Sequence, residues 1–135
     1  MGARLAIAFE KHANDILVAD STRFQSQPIA RRIAELDGIC NKLSIPPFGS
    51  FVCATSEQIN EISEEIEELP ENGPPKEEFY QSNEGLIAVQ KVISVLMRKD
   101  DVQAKDSLLL NDLFALESLL HEAVNQHVDF HFYFD

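Results

Sequence analysis

Apolar and small residues alternate near the amino terminus, which is the pattern of a β-strand. Leu5, Ile7 and Phe9 face one side, and alanines occupy the positions between them. Small residues on the second side are typical of a strand that is covered closely on both faces. A second alternating run closes the chain. We therefore predict strands over residues 4–9 and 128–134, paired in one sheet.

Between these strands, the apolar residues recur three or four positions apart, as in amphipathic helices. Pro28 suits the first turn of a helix, which we predict over residues 28–43. Thr55 and Gln58 stand at capping-box spacing, where each side chain satisfies a free backbone N–H at the start of a helix. We predict that this helix covers residues 55–69, because Pro70 cannot continue it.

Two more helices are predicted in the second half. Ser82 is predicted as the N-cap of a helix that ends at Arg98 and Lys99, whose positive charges suit a carboxyl-terminal end. The leucine-rich stretch 107–126 is apolar on more than one face. It should therefore be the central helix.

Two segments keep alternatives open: residues 14–21 fit a strand or a helical turn, and residues 50–54 fit a third strand. The predicted fold class is α+β, with about four helices packed largely on one face of a small sheet formed by the N-terminal and C-terminal strands. We expect Phe130 and Phe132 to be buried against the 107–126 helix. A length of 135 residues is usual for one domain, so residues 1–135 are predicted to form a single domain.

Composition narrows the class of partner. The net charge of −12 argues against binding to nucleic acid or to an anionic membrane, since both require a basic surface. It is compatible with a basic protein partner, with cations, or with no partner at all. Cys40 and Cys53 are the only cysteines, and the chain has no long apolar segment. These features predict a cytoplasmic protein with two free thiols.

The negative charge is concentrated in one segment. Residues 57–78 contain nine glutamates and one lysine, whereas residues 1–56 contain six basic and five acidic residues. On the 55–69 helix, acidic side chains surround the side opposite an isoleucine stripe, and like charges four positions apart repel one another. This face is either a solvated surface or a surface that binds a basic partner. The predicted binding residues are Glu57, Glu61, Glu64, Glu65 and Glu68.

The carboxy-terminal strand carries the second candidate site. His127, Asp129 and His131 occupy one face of the predicted strand, and imidazole and carboxylate groups are zinc ligands. However, alternate side chains lie about 7 Å apart along a strand, which is too far for a compact ligand set. A solvated outer face accounts for the same pattern. We expect no metal there, and the sequence contains no known catalytic motif.

Several short motifs of the second half form a recurring order. Pro46-Pro47-Phe48-Gly49-Ser50-Phe51 precedes the acidic helix, Phe79-Tyr80-Gln81-Ser82 precedes the next one, and Val128-Asp129-Phe130-His131-Phe132 closes the chain. Together these motifs resemble a loose group of small acidic bacterial proteins of uncharacterised function, over residues 44–135. The resemblance implies a bacterial source and a helix-helix-strand ending, and it supplies no active site.

Two functions from different classes follow from these features. The first is a non-catalytic acidic interaction protein that binds a basic protein, in its concrete form an immunity-type inhibitor of a toxin. The alternative is a small enzyme or metal-binding protein that uses the His127/Asp129/His131 strand face. The sequence favours the first, indicates no cofactor, and leaves the oligomeric state open.

Overall fold

The computed structural model describes residues 3–65, 77–98 and 104–135, and for residues 62–65 and 104–106 it describes the backbone alone. This part of the chain contains three strands, six α-helices and one 3-10 turn. In chain order the elements are β1 (Leu5–Phe9), α1 (Asp15–Arg23), β2 (Gln25–Ser26), α2 (Gln27–Arg31), α3 (Ile33–Lys42), the 3-10 turn (Phe48–Phe51), α4 (Ser56–Glu65), α5 (Ser82–Met97), α6 (Ala104–Asn125) and β3 (Phe130–Phe134).

The two terminal strands are neighbours in an antiparallel sheet of order β2-β1-β3. In the β1–β3 register, Leu5 lies opposite Phe134, Ile7 opposite Phe132, and Phe9 opposite Phe130. The predicted α+β class, with helices packed on a sheet of the N-terminal and C-terminal strands, is confirmed.

The third strand is not at the predicted place. It is β2, a strand of two residues on the free side of β1. In the 50–54 segment, only Val52 pairs with the sheet, through an isolated parallel bridge to Phe132. The rest of this segment contacts β3 through the Cys53 amide, which donates to the Phe132 carbonyl oxygen, and through the Phe51 ring.

Two helix predictions require correction, and one ambiguity is resolved. Residues 14–21 belong to helix α1, with Asn14 as its N-cap. The predicted 28–43 helix is divided at Arg32, which leaves helical geometry (φ −111°, ψ 16°). The break has a packing role, because α2 packs on α6 whereas α3 packs on α5 and the 3-10 turn.

Ser82 is not the N-cap of α5. It is the first helical residue, Gln81 precedes it as N-cap, and the Ser82 hydroxyl donates to the Val128 carbonyl oxygen. The Ser82 hydroxyl therefore forms a long-range hydrogen bond instead of the local cap that the sequence predicts. Helix α6 agrees with its predicted position but begins at Ala104.

The core lies between the sheet and helices α5 and α6. Phe130 and Phe132 are 0% and 1% exposed, which confirms their predicted burial. Their aromatic neighbours are Phe48 and Phe51 of the 3-10 turn, with Phe51 and Phe130 ring centroids 5.4 Å apart. The Phe130 ring also lies where a Cβ atom on Gly85 would stand, so α5 approaches the sheet closely there. The α6 leucines belong to the same core.

Within the described ranges, no helix combines the length and the apolar character that a membrane crossing requires.

Candidate functional site

Helix α4, which contains most of the predicted binding residues, has a well-defined start. The Thr55 amide donates to Gln58 Oε1 at 3.0 Å, and the Gln58 amide donates to Thr55 Oγ1 at 3.2 Å. The capping box is therefore present as predicted. The Gln58 Nε2 group also donates to the Phe134 carbonyl oxygen at 2.9 Å, and Ile59 is buried. These contacts hold the first turns of α4 against the end of β3.

The acidic face of α4, which we define as Glu57, Glu61, Glu64 and Glu65, has two members with described side chains. Both Glu57 and Glu61 are exposed. In the described part of the chain, no lysine or arginine pairs with either carboxylate. The side chains of Glu64 and Glu65, and the whole of Glu68, lie outside the described residues.

The three residues of the predicted strand face are in three different settings. His127 has a left-handed backbone (φ 56°) and ends α6, since the His127 amide donates to Val124 and the Val128 amide to Ala123. This is the pattern of a Schellman motif. Asp129 precedes β3, and only His131 lies within it. The described residues include no group of three or more His, Cys, Asp or Glu side chains that could hold a metal ion.

The expectation of a solvated outer face is wrong at His131, whose exposed fraction is 0%. His131 and Tyr133 form the outer face of β3, the side opposite Phe130 and Phe132. Residues 77–80 run beside β3, where Tyr80 and Phe130 exchange both backbone hydrogen bonds. The Phe79 ring lies 5.0 Å from the imidazole, centroid to centroid.

Glu77 connects this buried imidazole to helix α4. Its Oε2 atom lies 2.6 Å from His131 Nε2, and its Oε1 atom accepts from the Ser56 hydroxyl at 2.6 Å. Burial alone would raise the pKa of Glu77, but hydrogen bonds from Ser56 and His131 and the charge of His131 together lower this pKa below its usual range. The carboxylate therefore stays ionised at neutral pH.

The segments on either side of α4 run next to each other at this point. The Cys53 amide donates to the Phe132 carbonyl oxygen at 2.9 Å, and Cys53 Sγ accepts from the Glu78 amide at 3.1 Å. The chain before α4 and the chain from residue 77 onwards are thus attached to each other and to β3.

A second polar cluster lies at the opposite end of β3. Glu10 Oε1 accepts from the Asp129 amide at 2.8 Å, and His12 Nε2 lies 3.9 Å from the same oxygen. Burial and the neighbouring Glu10 carboxylate raise the pKa of Asp129, while His12 acts in the opposite direction. An open groove of about 410 Å³ adjoins this cluster and is lined by Asn83, His127 and Asp129 among others.

Two further grooves are more apolar. One of about 390 Å³ separates α1 from α6, and one of about 400 Å³ lies between α3 and Val95 of α5. Neither brings together groups that would act as nucleophile and base, so neither has the geometry of a hydrolytic site.

No family model, curated protein or solved structure matches this chain. The site is therefore interpreted from its own chemistry.

Sequence reasoning missed Glu77, which pairs with His131, and Ser56, which bonds Glu77. Glu77 was one of nine glutamates in the acidic segment, and Ser56 stood next to a capping residue that already explained the helix start. Their 21-residue separation has no helical or strand periodicity. The available signal was the strand itself, where a histidine stands between two phenylalanines in an otherwise aromatic run.

Proposed function

We propose that this chain is a non-catalytic interaction protein whose acidic face of α4 binds a basic protein partner. An immunity-type inhibitor of a toxin is the concrete form. The proposal rests on one observation: Glu57 and Glu61 are exposed and without a basic partner in the described chain, on a helix whose start is firmly attached to the sheet.

Rigid attachment matters because a binding surface that is already ordered loses less conformational entropy on association. The capping box, the Gln58–Phe134 hydrogen bond and the Ser56–Glu77 hydrogen bond all restrain the first turns of α4. Repulsion between carboxylates four positions apart works against the helix on its own. A basic partner would relieve this repulsion, so binding and helix stability would favour each other.

The remaining parts of the proposal follow from composition. Neither Cys40 nor Cys53 forms a disulfide bond, which supports a reducing, cytoplasmic location. The resemblance of residues 44–135 to small acidic bacterial proteins supports a bacterial source. A toxin that acts on nucleic acid is a suitable partner, because such an enzyme presents a basic surface to its substrate.

The enzyme or metal-binding alternative depends most on His131. Both nitrogens of this ring already lie next to protein oxygen atoms, so the described residues offer the alternative no supporting contact.

The test reverses charge on α4 and measures association. Partners are captured from a bacterial lysate on the immobilised chain at low salt and eluted at high salt. For a captured basic protein, Glu57→Lys with Glu61→Lys should slow association about tenfold and flatten its salt dependence, because long-range attraction acts mainly on the on-rate.

A matched control changes the net charge equally at a distance from α4. Asp20→Lys with Glu122→Lys reverses two exposed carboxylates on α1 and α6. This control should retain the wild-type association rate to within about twofold. Equal slowing in both double variants would mean that only net charge matters, and an unchanged rate in the α4 variant would contradict the proposal directly.

A further inference from the structure

The hydrogen-bonding surroundings of His131 determine its protonation state. Nδ1 lies 3.0 Å from the Phe132 carbonyl oxygen, and Nε2 lies 2.6 Å from Glu77 Oε2. A carbonyl oxygen only accepts, and an ionised carboxylate only accepts. Both ring nitrogens must therefore donate, which requires the imidazolium form.

A neutral imidazole would leave one ring nitrogen, as an acceptor, facing another acceptor at hydrogen-bond distance. The ring has no alternative partner in water, because its exposed fraction is 0%. Moving the proton to Glu77 is also unfavourable, since the Ser56 hydroxyl already stabilises the carboxylate through its other oxygen.

We propose that protonated His131 and ionised Glu77 form a buried ion pair that attaches α4 and residues 77–80 to the sheet. Loss of the imidazolium proton weakens this attachment. The proton is released to solvent, and the neutral ring can then donate to only one of its two acceptors, so one ring nitrogen faces an acceptor without a hydrogen bond. This pair would give the chain a conformational response to alkaline pH. It does not depend on what α4 binds.

The other groups around the pair favour this response. From β1, the residue opposite His131 is Ala8, which is uncharged. From β3, Tyr133 lies 6.1 Å away, ring centroid to ring centroid, and burial with the charges of Asp135 and Glu57 raises its pKa. Tyr133 therefore remains neutral.

Two further elements pack here. Residues 53–56 contribute the Cys53 thiol and the Ser56 hydroxyl, and residues 77–80 contribute the Phe79 ring, Glu77 itself and Glu78, whose side chain is exposed. Among the described residues, no lysine or arginine forms an ion pair with either member of the pair. Glu77 is thus the one described residue that forms an ion pair with the buried ring.

The first experiment observes the proton on the wild-type chain. Nitrogen-15 NMR of the imidazole side chains distinguishes a doubly protonated ring from a neutral one. At neutral pH, His131 should show two protonated ring nitrogens, because both face acceptor oxygens. A neutral His131 ring at this pH would overturn the proposal.

The second experiment measures the attachment. Hydrogen-exchange protection factors, which correct for the intrinsic pH dependence of exchange, are compared at neutral and alkaline pH for amides of α4 and of α6. In wild type, protection in α4 should fall about tenfold once His131 loses its proton, while protection in α6 should change little.

Glu77→Gln removes the carboxylate. In this variant, hydrogen-exchange protection of the α4 amides should be lower than in wild type at neutral pH, and it should not fall further at alkaline pH. Glu78→Gln removes one negative charge from the adjacent, exposed side chain and should behave as wild type. An equal alkaline loss in wild type and Glu77→Gln would overturn the proposal. If Glu77→Gln does not fold, the NMR result on the wild-type chain decides alone.

Discussion

Over residues 130–132, the two faces of strand β3 are both closed to solvent, but by different means. On the inner face, Phe130 and Phe132 pack on aromatic rings of the 3-10 turn and on α5. On the outer face, His131 is equally buried, yet its closest contacts are a carboxylate, a carbonyl oxygen and one aromatic ring.

This difference concerns how burial is stabilised. Apolar burial is non-directional and proportional to area, so many arrangements of the inner face would serve. A buried charge is tolerated only with a partner at the right distance and angle. The inner face therefore supplies stability, while the outer face restricts residues 53–56 and 77–80 to one arrangement.

The largest expected effect is on the inner face. Phe130→Ala should lower the free energy of unfolding by about 3–5 kcal/mol, because it removes a fully buried ring and leaves a cavity. Urea denaturation followed by circular dichroism measures this change. A loss below about 1 kcal/mol would mean that the inner aromatic cluster contributes little.

Gly85 provides a matched test of the same contact. Adding Gly85→Ala to Phe130→Ala should recover about 1 kcal/mol, since alanine favours the helix and the ring that blocks its Cβ is gone. In the wild-type background the same substitution should destabilise, because the new methyl group overlaps the Phe130 ring. The same sign in both backgrounds would contradict this packing.

A smaller effect is expected on the outer face. His131→Leu should cost about 2–3 kcal/mol, because it leaves the Glu77 carboxylate without its charged partner. The cost stays at the low end since the Glu77 side chain is 19% exposed and can turn towards water. Thermal and urea unfolding give the measurement.

The companion double variant distinguishes charge from packing. His131→Leu with Glu77→Leu should be more stable than His131→Leu alone, because no unpaired charge remains. If the double variant were less stable by the full sum of both single changes, the His131–Glu77 pair would not be coupled.

The smallest expected effect appears on acidification. Because the pKa of Glu77 is lowered in the folded chain, its carboxylate contributes stability above the usual glutamate range and loses it as the pH falls through the folded value. The stability difference between wild type and Glu77→Gln, about 1 kcal/mol near pH 6, should therefore shrink as the pH falls below the usual glutamate range. Urea midpoints at several pH values test this, and a difference that grows in acid would refute it.

The inner face was predictable from sequence because its signal is local. Alternation placed Phe130 and Phe132 on one side of the last strand, and the same rule placed Leu5 and Ile7 on the matching side of the first. The capping box at Thr55 was predictable for the same reason, since both partners lie within one helical turn.

The outer face was not predictable because its cover comes from elsewhere in the chain. Alternation indicates which side His131 takes, but not whether a segment 54 residues away in sequence covers it. Ser82 and His127 were mispredicted for the same reason. The Ser82 hydroxyl forms a long-range hydrogen bond instead of a cap, and His127 ends α6 with a left-handed backbone instead of lying in the strand. The acidic face of α4 was identified from charge alone, and its binding role stays a prediction.

The outer edge of β3, on the side away from β1, has a consequence for aggregation. A strand of sequence Phe-His-Phe-Tyr-Phe is aromatic, and such a strand with an open edge would pair readily with another chain. Here four of the outward backbone groups are already used: Tyr80 bonds the amide and carbonyl of Phe130, Cys53 bonds the Phe132 carbonyl oxygen, and Gln58 bonds the Phe134 carbonyl oxygen. The opposite edge of the sheet is β2, which is only two residues long. Loss of the His131–Glu77 contact would therefore expose an unpaired strand edge before the core itself unfolds. Variants that lack this contact should form β-rich aggregates at concentrations where the native chain stays monodisperse.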